Sequence, residues 1–128
     1  MIFNKLEISL KEFIKKDKLI KTAILLSVLF NLINWGLIYY RFTRFLAGQE
    51  ESMILHYNIY FGIDKIGNWT SIYYLPLIGL AILFINLLGG YLLSQKDKLI
   101  SYFFLCAALF SQILLIIATF YIIAVNQY

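Results

Sequence analysis

The chain has 128 residues, of which 62% are hydrophobic, 18% aromatic and 14% charged, and its formal net charge is +4. A chain of this length cannot hide so much apolar surface in a water-soluble core, so the composition excludes an ordinary soluble domain and predicts an all-α integral membrane protein. The sequence contains no basic nucleic-acid-binding motif. We therefore interpret the positive charge as a sign of topology and of attraction to anionic lipid, with no nucleic acid among the partners.

Residues 1–18 are predicted to form an amphipathic helix that lies in the membrane interface. Apolar residues recur there at intervals of three and four, and lysines and glutamates fill the other face. The alternative is a solvated helical tail. A cleavable signal peptide is disfavoured, because the charged stretch is long and no small-residue cleavage site follows the apolar run.

Three apolar segments follow, each long enough to cross a hydrocarbon core of about 30 Å as a helix. They are residues 19–40, 72–94 and 99–125. Pro76 falls in the first turn or so of the second segment, where a missing N–H costs little. The third segment is longer than the bilayer requires and is expected to tilt. Because only residues 95–98 separate the last two segments, we predict a tight helical hairpin there and a single membrane domain over residues 1–128.

The counts of lysine and arginine predict the orientation. Eight lysines lie in the N-terminal tail and in the 95–98 connection, against three basic residues in the 41–71 loop and none after residue 125. Short cytoplasmic segments carry an excess of Lys and Arg. The N-terminus and the 95–98 connection are therefore predicted to face the cytoplasm, with the loop and the C-terminus outside.

Amide side chains mark the predicted spans. Asn31 and Asn34 share one face of the first span, Asn86 lies in the second and Gln112 in the third. With a rise of about 1.5 Å per residue, Asn31 and Gln112 lie at similar depth and could meet. Interhelical amide bonds are worth about 0.6 kcal/mol on average in membranes and up to about 2, so these amides are predicted to hold the helices together. A polar conduction path is the alternative, which the absence of charged residues and histidine from the apolar part of each span disfavours.

Small residues at helical spacing predict close packing of the helices. Ala107, Ser111 and Ala118 share a face of the third span, and Gly79, Asn86 and Gly90 share a face of the second. Small side chains let helix backbones approach closely, so we expect a compact bundle or a seam for another subunit. Three spans bury little against one another. The expected partners are therefore membrane lipids together with other membrane subunits or a second copy of the chain.

The 41–71 loop is the most varied polar stretch and contains the only histidine of the chain. It is long for a connection and too apolar to remain in water, so we expect it to be structured against the membrane surface or over the helix ends. Residues 53–59 are expected to be extended. Gly62 and Gly67 are predicted turn points, with Asp64 between them bonding to local backbone.

Five residues of this loop are candidates for ligand binding. They are His56, Asn58, Gly62, Asp64 and Trp69. His56 would act as a proton acceptor or ligand, with Asn58 and Asp64 as its hydrogen-bonding partners; the alternative is a polar clasp that only satisfies turn backbone. Zinc needs three or four protein ligands, and Cys106 lies in an apolar span where a thiol is inert. We therefore predict no metal, no cofactor and no enzymatic activity.

Residues 55–69 resemble the extracytoplasmic motif of a bacterial family of unknown function, a module found in the membrane proteins that give immunity to the SDP peptide toxin. The order is Leu55-His56-Tyr57-Asn58, then Gly62-x-Asp64, then Gly67-x-Trp69, ahead of an apolar helix that opens near Leu75-Pro76. In that family a Pro-x-His-aromatic-Asn segment precedes a Gly and an Asp. The resemblance carries over His56, Asn58, Gly62 and Asp64, and it implies a location in the bacterial cytoplasmic (inner) membrane.

Two functional hypotheses follow from the sequence. The first is a non-enzymatic accessory or assembly subunit of a membrane complex. The second is an extracytoplasmic receptor or immunity-type protein that binds a peptide or a lipid headgroup through the loop that contains His56 and Asp64. A small channel or transporter ranks third, because the spans carry no charge.

Overall fold

The computed structural model describes residues 10–15, 17–43, 52–94 and 96–126. The chain is mostly helical, and its elements in chain order are α1 (Lys18–Ile38), a π-helical turn (Tyr39–Thr43), β1 (Ser52–Asn58), β2 (Gly62–Asn68), a 3-10 turn (Trp69–Tyr73), α2 (Tyr74–Leu93) and α3 (Lys98–Val125). Residues 10–15 are also helical. The remaining parts of the predicted interfacial helix and of the 41–71 loop lie outside the described residues.

The three long helices are apolar enough to cross a membrane. With their terminal turns they cover Lys18–Phe42, Trp69–Leu93 and Lys98–Val125, which are 25, 25 and 28 residues long. At about 1.5 Å per residue, each exceeds a hydrocarbon core of about 30 Å. On the loop side, the first helix ends two residues later than the predicted 19–40, and the second begins three residues earlier than the predicted 72–94. Both extensions are short helical turns that contain aromatic residues.

Aspartate caps set the starts of α1 and α3. The Asp17 carboxylate accepts a hydrogen bond from the backbone N–H of Leu19 at 2.9 Å, and the Asp97 carboxylate accepts one from that of Leu99 at 2.8 Å. An N-cap side chain satisfies backbone donors that the first helical turn leaves without partners. Local sequence therefore determines where both helices begin.

One face of each helix is buried, and these faces are rich in small and polar residues. The buried residues are Ile20, Ser27, Asn31, Asn34 and Ile38 in α1; Pro76, Gly79, Leu83, Gly90 and Tyr91 in α2; and Ser101, Leu105, Ala108, Gln112 and Thr119 in α3. Large apolar side chains face outward, such as Phe84 and Phe103, which are 67% and 68% exposed. This arrangement is typical of helices that are solvated by lipid and packed through small and polar groups.

The described part of the loop folds as an antiparallel β-hairpin, so the all-α fold class is wrong in this region. Residues 52–58 pair with 62–68, and Gly62 closes the turn with a φ of +76°, in the left-handed region that favours glycine. Gly67, a predicted turn point, instead lies within β2 opposite Met53. Pairing between the strands supplies the backbone hydrogen bonds that the extended stretch alone could not make.

Two compensating β-bulges interrupt the ladder. Leu55 is an extra residue on β1 and Asp64 an extra residue on β2, so the register shifts once in each strand and then continues. The Leu55 side chain folds over the backbone of Gly67, where an added Cβ would lie 2.6 Å from Leu55 Cδ1. Bulges re-aim side chains and increase the local twist of a strand pair. A regular ladder would place Asp64 directly opposite His56; with the bulges His56 pairs with Lys65, and the Asp64 side chain still contacts the His56 ring.

The base of the hairpin packs on the loop-side ends of the helices. Ile38, Phe42, Met53 and Ile72 form a buried cluster in which no side chain is more than 3% exposed. This cluster joins the end of α1, the start of β1 and the turn before α2. The hairpin is therefore rooted in the bundle by apolar burial, and the candidate residues His56, Asn58, Gly62 and Asp64 lie beyond that root.

Candidate functional site

His56 and Asp64 are hydrogen-bonded to each other on the exposed part of the hairpin. His56 Nδ1 lies 2.6 Å from Asp64 Oδ1, and the two side chains are 60% and 42% exposed. Because the carboxylate accepts the Nδ1 proton, the Nε2 atom of the ring is left for another partner. Even a fully charged pair at an exposed site contributes only about 0–1 kcal/mol to stability, so this contact orients the ring more than it stabilises the fold.

The other loop candidates have different positions. Asn58 Oδ1 accepts a hydrogen bond from the backbone N–H of Tyr60 at 2.8 Å, and Gly62 completes the same turn. Trp69 lies against the buried cluster at the helix ends and contacts Tyr73 edge to face, with ring centroids 6.5 Å apart. The structure therefore brings His56 together with Asp64, uses Asn58 and Gly62 to shape the turn, and places Trp69 in the root of the hairpin.

Asn126, which the sequence analysis did not single out, ties the hairpin to the end of α3. Its Oδ1 accepts from the backbone N–H of Ile54 at 2.8 Å, and its Nδ2 donates to the backbone carbonyl of Ile54 at 2.7 Å and to that of Ile122 at 2.9 Å. The side-chain amide thus pairs with the outer edge of β1 as a neighbouring strand would. An asparagine directly after a long apolar segment was the signal available in the sequence.

A hydrogen-bond network joins all three helices inside the bundle. Asn31 Nδ2 donates to Gln112 Oε1 at 3.1 Å and to the carbonyl of Pro76 at 3.0 Å. Gln112 Nε2 donates to the carbonyl of Gly79 at 2.7 Å, and Trp35 Nε1 donates to Asn31 Oδ1 at 3.1 Å. The structure therefore brings together Asn31 and Gln112, the two amides that the helical rise places at similar depth.

The remaining two amides of the spans differ from each other. Asn34 Oδ1 accepts from the Thr119 hydroxyl at 2.6 Å, which links α1 to α3 a second time. Asn86 is not an interhelical contact: its Nδ2 donates to the carbonyl of Ile82, one turn earlier in α2, at 2.8 Å. An i−4 carbonyl is always within reach of a short polar side chain in a helix, so Asn86 satisfies its amide locally.

A polar cluster at the opposite end of the bundle joins the starts of α1 and α3. The Asp17 carboxylate, only 10% exposed, accepts hydrogen bonds from Lys98 Nζ at 2.5 Å and from the Tyr102 hydroxyl at 2.6 Å. The Lys98 ammonium, followed by the Tyr102 hydroxyl, holds the pKa of the Asp17 carboxyl well below its usual range. Phe13, four residues before Asp17, packs edge to face on Tyr91 of α2, with ring centroids 5.7 Å apart.

Within the described ranges, no group of three or more His, Cys, Asp or Glu side chains is placed to hold a metal ion. Comparison with protein families, curated proteins and solved structures gives no match to the chain. The candidate site consists of an oriented histidine and a carboxylate on a hairpin that is bonded to the end of a helix.

Proposed function

We propose that the protein is a non-enzymatic accessory or assembly subunit of a complex in the bacterial cytoplasmic membrane. Its N-terminus and the connection before α3 are on the cytoplasmic side, and the hairpin and C-terminus are outside. Lys18, Lys21, Lys96 and Lys98 lie at one end of the bundle, against Arg41 and Lys65 at the hairpin end. The positive-inside rule supports this orientation.

The small residues of α3 carry the proposal. The bundle is packed through Ala108 and Gln112, which are at most 1% exposed, whereas Ala107 lies on the outer surface and Ser111 and Ala118 are half-buried. The small-residue stripe formed by Ala107, Ser111 and Ala118 is therefore only partly covered by contacts within the chain. A stripe of this kind allows a helix of another subunit to approach closely in lipid.

Replacing Ala107 with leucine is expected to separate the protein from its membrane partner. A side chain that projects from the stripe keeps the facing helix at a distance, and we expect recovery of the partner to fall about tenfold, equivalent to ~1.4 kcal/mol. The measurement is quantitative mass spectrometry of proteins retained after gentle solubilisation.

Ala81→Leu is the matched control, because Ala81 is exposed on α2 and the substitution is the same. It should leave partner recovery unchanged. Equal recovery with both variants, or a wild-type protein that purifies as a monomer without any partner, would contradict a role in assembly through α3.

A second candidate function, an extracytoplasmic receptor or immunity-type protein, is favoured by the 2.6 Å contact between His56 and Asp64. Because Asn126 holds the strand that carries His56, the ring is oriented before any ligand arrives. Preorganised groups lose less entropy on binding.

The receptor function predicts that His56→Ala and Asp64→Asn abolish protection of cells challenged with the SDP peptide, at unchanged protein abundance. Ser52→Ala, at an exposed position of the same strand, should leave protection intact. A wild-type protein that confers no survival advantage, or a His56→Ala variant that protects fully, would rule out SDP immunity through His56.

A further inference from the structure

The tip of the hairpin exposes three consecutive large apolar side chains. Ile59, Tyr60 and Phe61 are 82%, 88% and 85% exposed, although the turn that carries them is closed by the Asn58 side chain and by Gly62. Turns in water are usually built from polar residues and glycine. An ordered turn that holds a contiguous apolar cluster outward marks an interaction surface.

We propose that this tip inserts into the headgroup region of the lipid leaflet next to the hairpin, so that the hairpin is anchored at both ends. The ligand is the phospholipid surface itself. The inference rests on the membrane location proposed above, but it does not depend on a partner subunit or on a ligand of His56.

The length of the hairpin supports contact between its tip and lipid. Tyr60 is six residues after Ile54, which is bonded to Asn126, so the tip lies at most about 20 Å away at roughly 3.3 Å per extended residue. The root lies beside exposed tyrosines at the helix ends, Tyr39 and Tyr74, which are 63% and 66% exposed. Such tyrosines typically lie at the membrane–water interface, so lipid headgroups are within the span of the hairpin without any other protein.

The bulges between root and tip favour a hairpin that does not project straight from the bundle. Leu55 and Asp64 are both extra residues in the ladder, and bulged strands bend and twist. Both lie between the bonded residue Ile54 and the turn. A strand pair with bulges at these positions is expected to bend between its root and its tip.

The chemistry of the tip also matches the interface of a bilayer. Residues 57–63 carry no charge, so insertion removes no ionised group from water. Tyrosine has an apolar ring and a polar hydroxyl, which suits the boundary between headgroups and acyl chains. Lys65 follows on β2, opposite His56, where an ammonium can meet lipid phosphate.

The test places an environment-sensitive fluorophore on the tip of the full chain in vesicles of phosphatidylcholine and phosphatidylglycerol that contain no other protein. Phe61→Cys and, separately, Tyr60→Cys are made in a Cys106→Ala background and labelled; Ser52→Cys at the hairpin root is the matched control. The hairpin meets whichever leaflet it faces, and iodide is present on both sides of the vesicle membrane, so the result does not depend on the direction of insertion.

We expect blue-shifted emission at positions 60 and 61, with quenching by a shallow acyl-chain nitroxide several-fold stronger than at position 52, and protection from aqueous iodide. Emission typical of water, with iodide quenching equal to that at position 52, would overturn the proposal. Water exposure in vesicles combined with shielding in native membranes would also overturn it and would assign the tip to a protein partner. The assembly proposal is tested on α3 and would survive either result.

Discussion

Gly79→Ala is expected to lower the free energy of unfolding by about 1–3 kcal/mol, the cost typical of overpacking a filled interior. A Cβ at this position would lie 2.6 Å from Asn31 Nδ2, 2.8 Å from Gln112 Oε1 and 3.0 Å from Leu115 Cδ1. The first two atoms belong to the network that joins the helices, so they cannot move apart without breaking hydrogen bonds. Unfolding in mixed micelles with an anionic denaturing detergent would measure the change.

Two other glycines provide matched controls for this prediction. An added Cβ at Gly36 would meet no atom within 4 Å, and one at Gly90 would come no closer than 3.5 Å to its nearest neighbour. Alanine favours a helix over glycine by about 1 kcal/mol, so Gly36→Ala and Gly90→Ala should be neutral or stabilising. If Gly90→Ala destabilised as much as Gly79→Ala, close contact with the amide network would not be the cause.

Asn126→Ala is expected to release the hairpin from α3 while the helix bundle stays folded. The substitution removes both hydrogen bonds to the Ile54 backbone, and at about 0.5–1.5 kcal/mol per bond the loss is roughly 1–3 kcal/mol of local stability. Backbone amides that open locally exchange hydrogen faster. Amide exchange at Ile54 should therefore accelerate by roughly five- to a hundredfold at 1.4 kcal/mol per tenfold.

Asn86→Ala is the control for Asn126→Ala, because it removes an amide of the same type that bonds only within its own helix. Exchange at Ile54 should not change in this variant, and amides in the middle of α1 and α3 should stay protected in both. Unchanged exchange at Ile54 after Asn126→Ala would mean that the apolar cluster around Met53 and Phe42 holds the hairpin unaided.

Several features of the fold could be predicted from sequence because their causes are local or set by the solvent. Hydrocarbon selects long apolar helices, and the aspartates before α1 and α3 cap them at the residues where the apolar runs begin. The contact between Asn31 and Gln112 followed from the constant rise of a helix, which relates position in sequence to depth in the membrane.

The conformation of the loop could not be predicted from the sequence alone. The strand pairing of 52–58 with 62–68 contains two bulges, and no alternation pattern in the sequence encodes such a register. In that register His56 pairs with Lys65, and the Asp64 side chain reaches the His56 ring from the bulge. The bond between Asn126 and Ile54 joins residues that are 72 positions apart, so it depends on where α3 ends relative to the hairpin.

The sequence by itself determined the number of long apolar helices and the relative positions of the polar groups along them, because these depend on composition and a fixed helical rise. Only the tertiary structure decided which face of each helix points inward. In lipid both faces of a helix are apolar, so hydrophobic periodicity does not orient it, and the fit of small and hydrogen-bonding side chains does. For that reason Ala108 and Gln112, rather than Ala107 and Ser111, line the interior of α3.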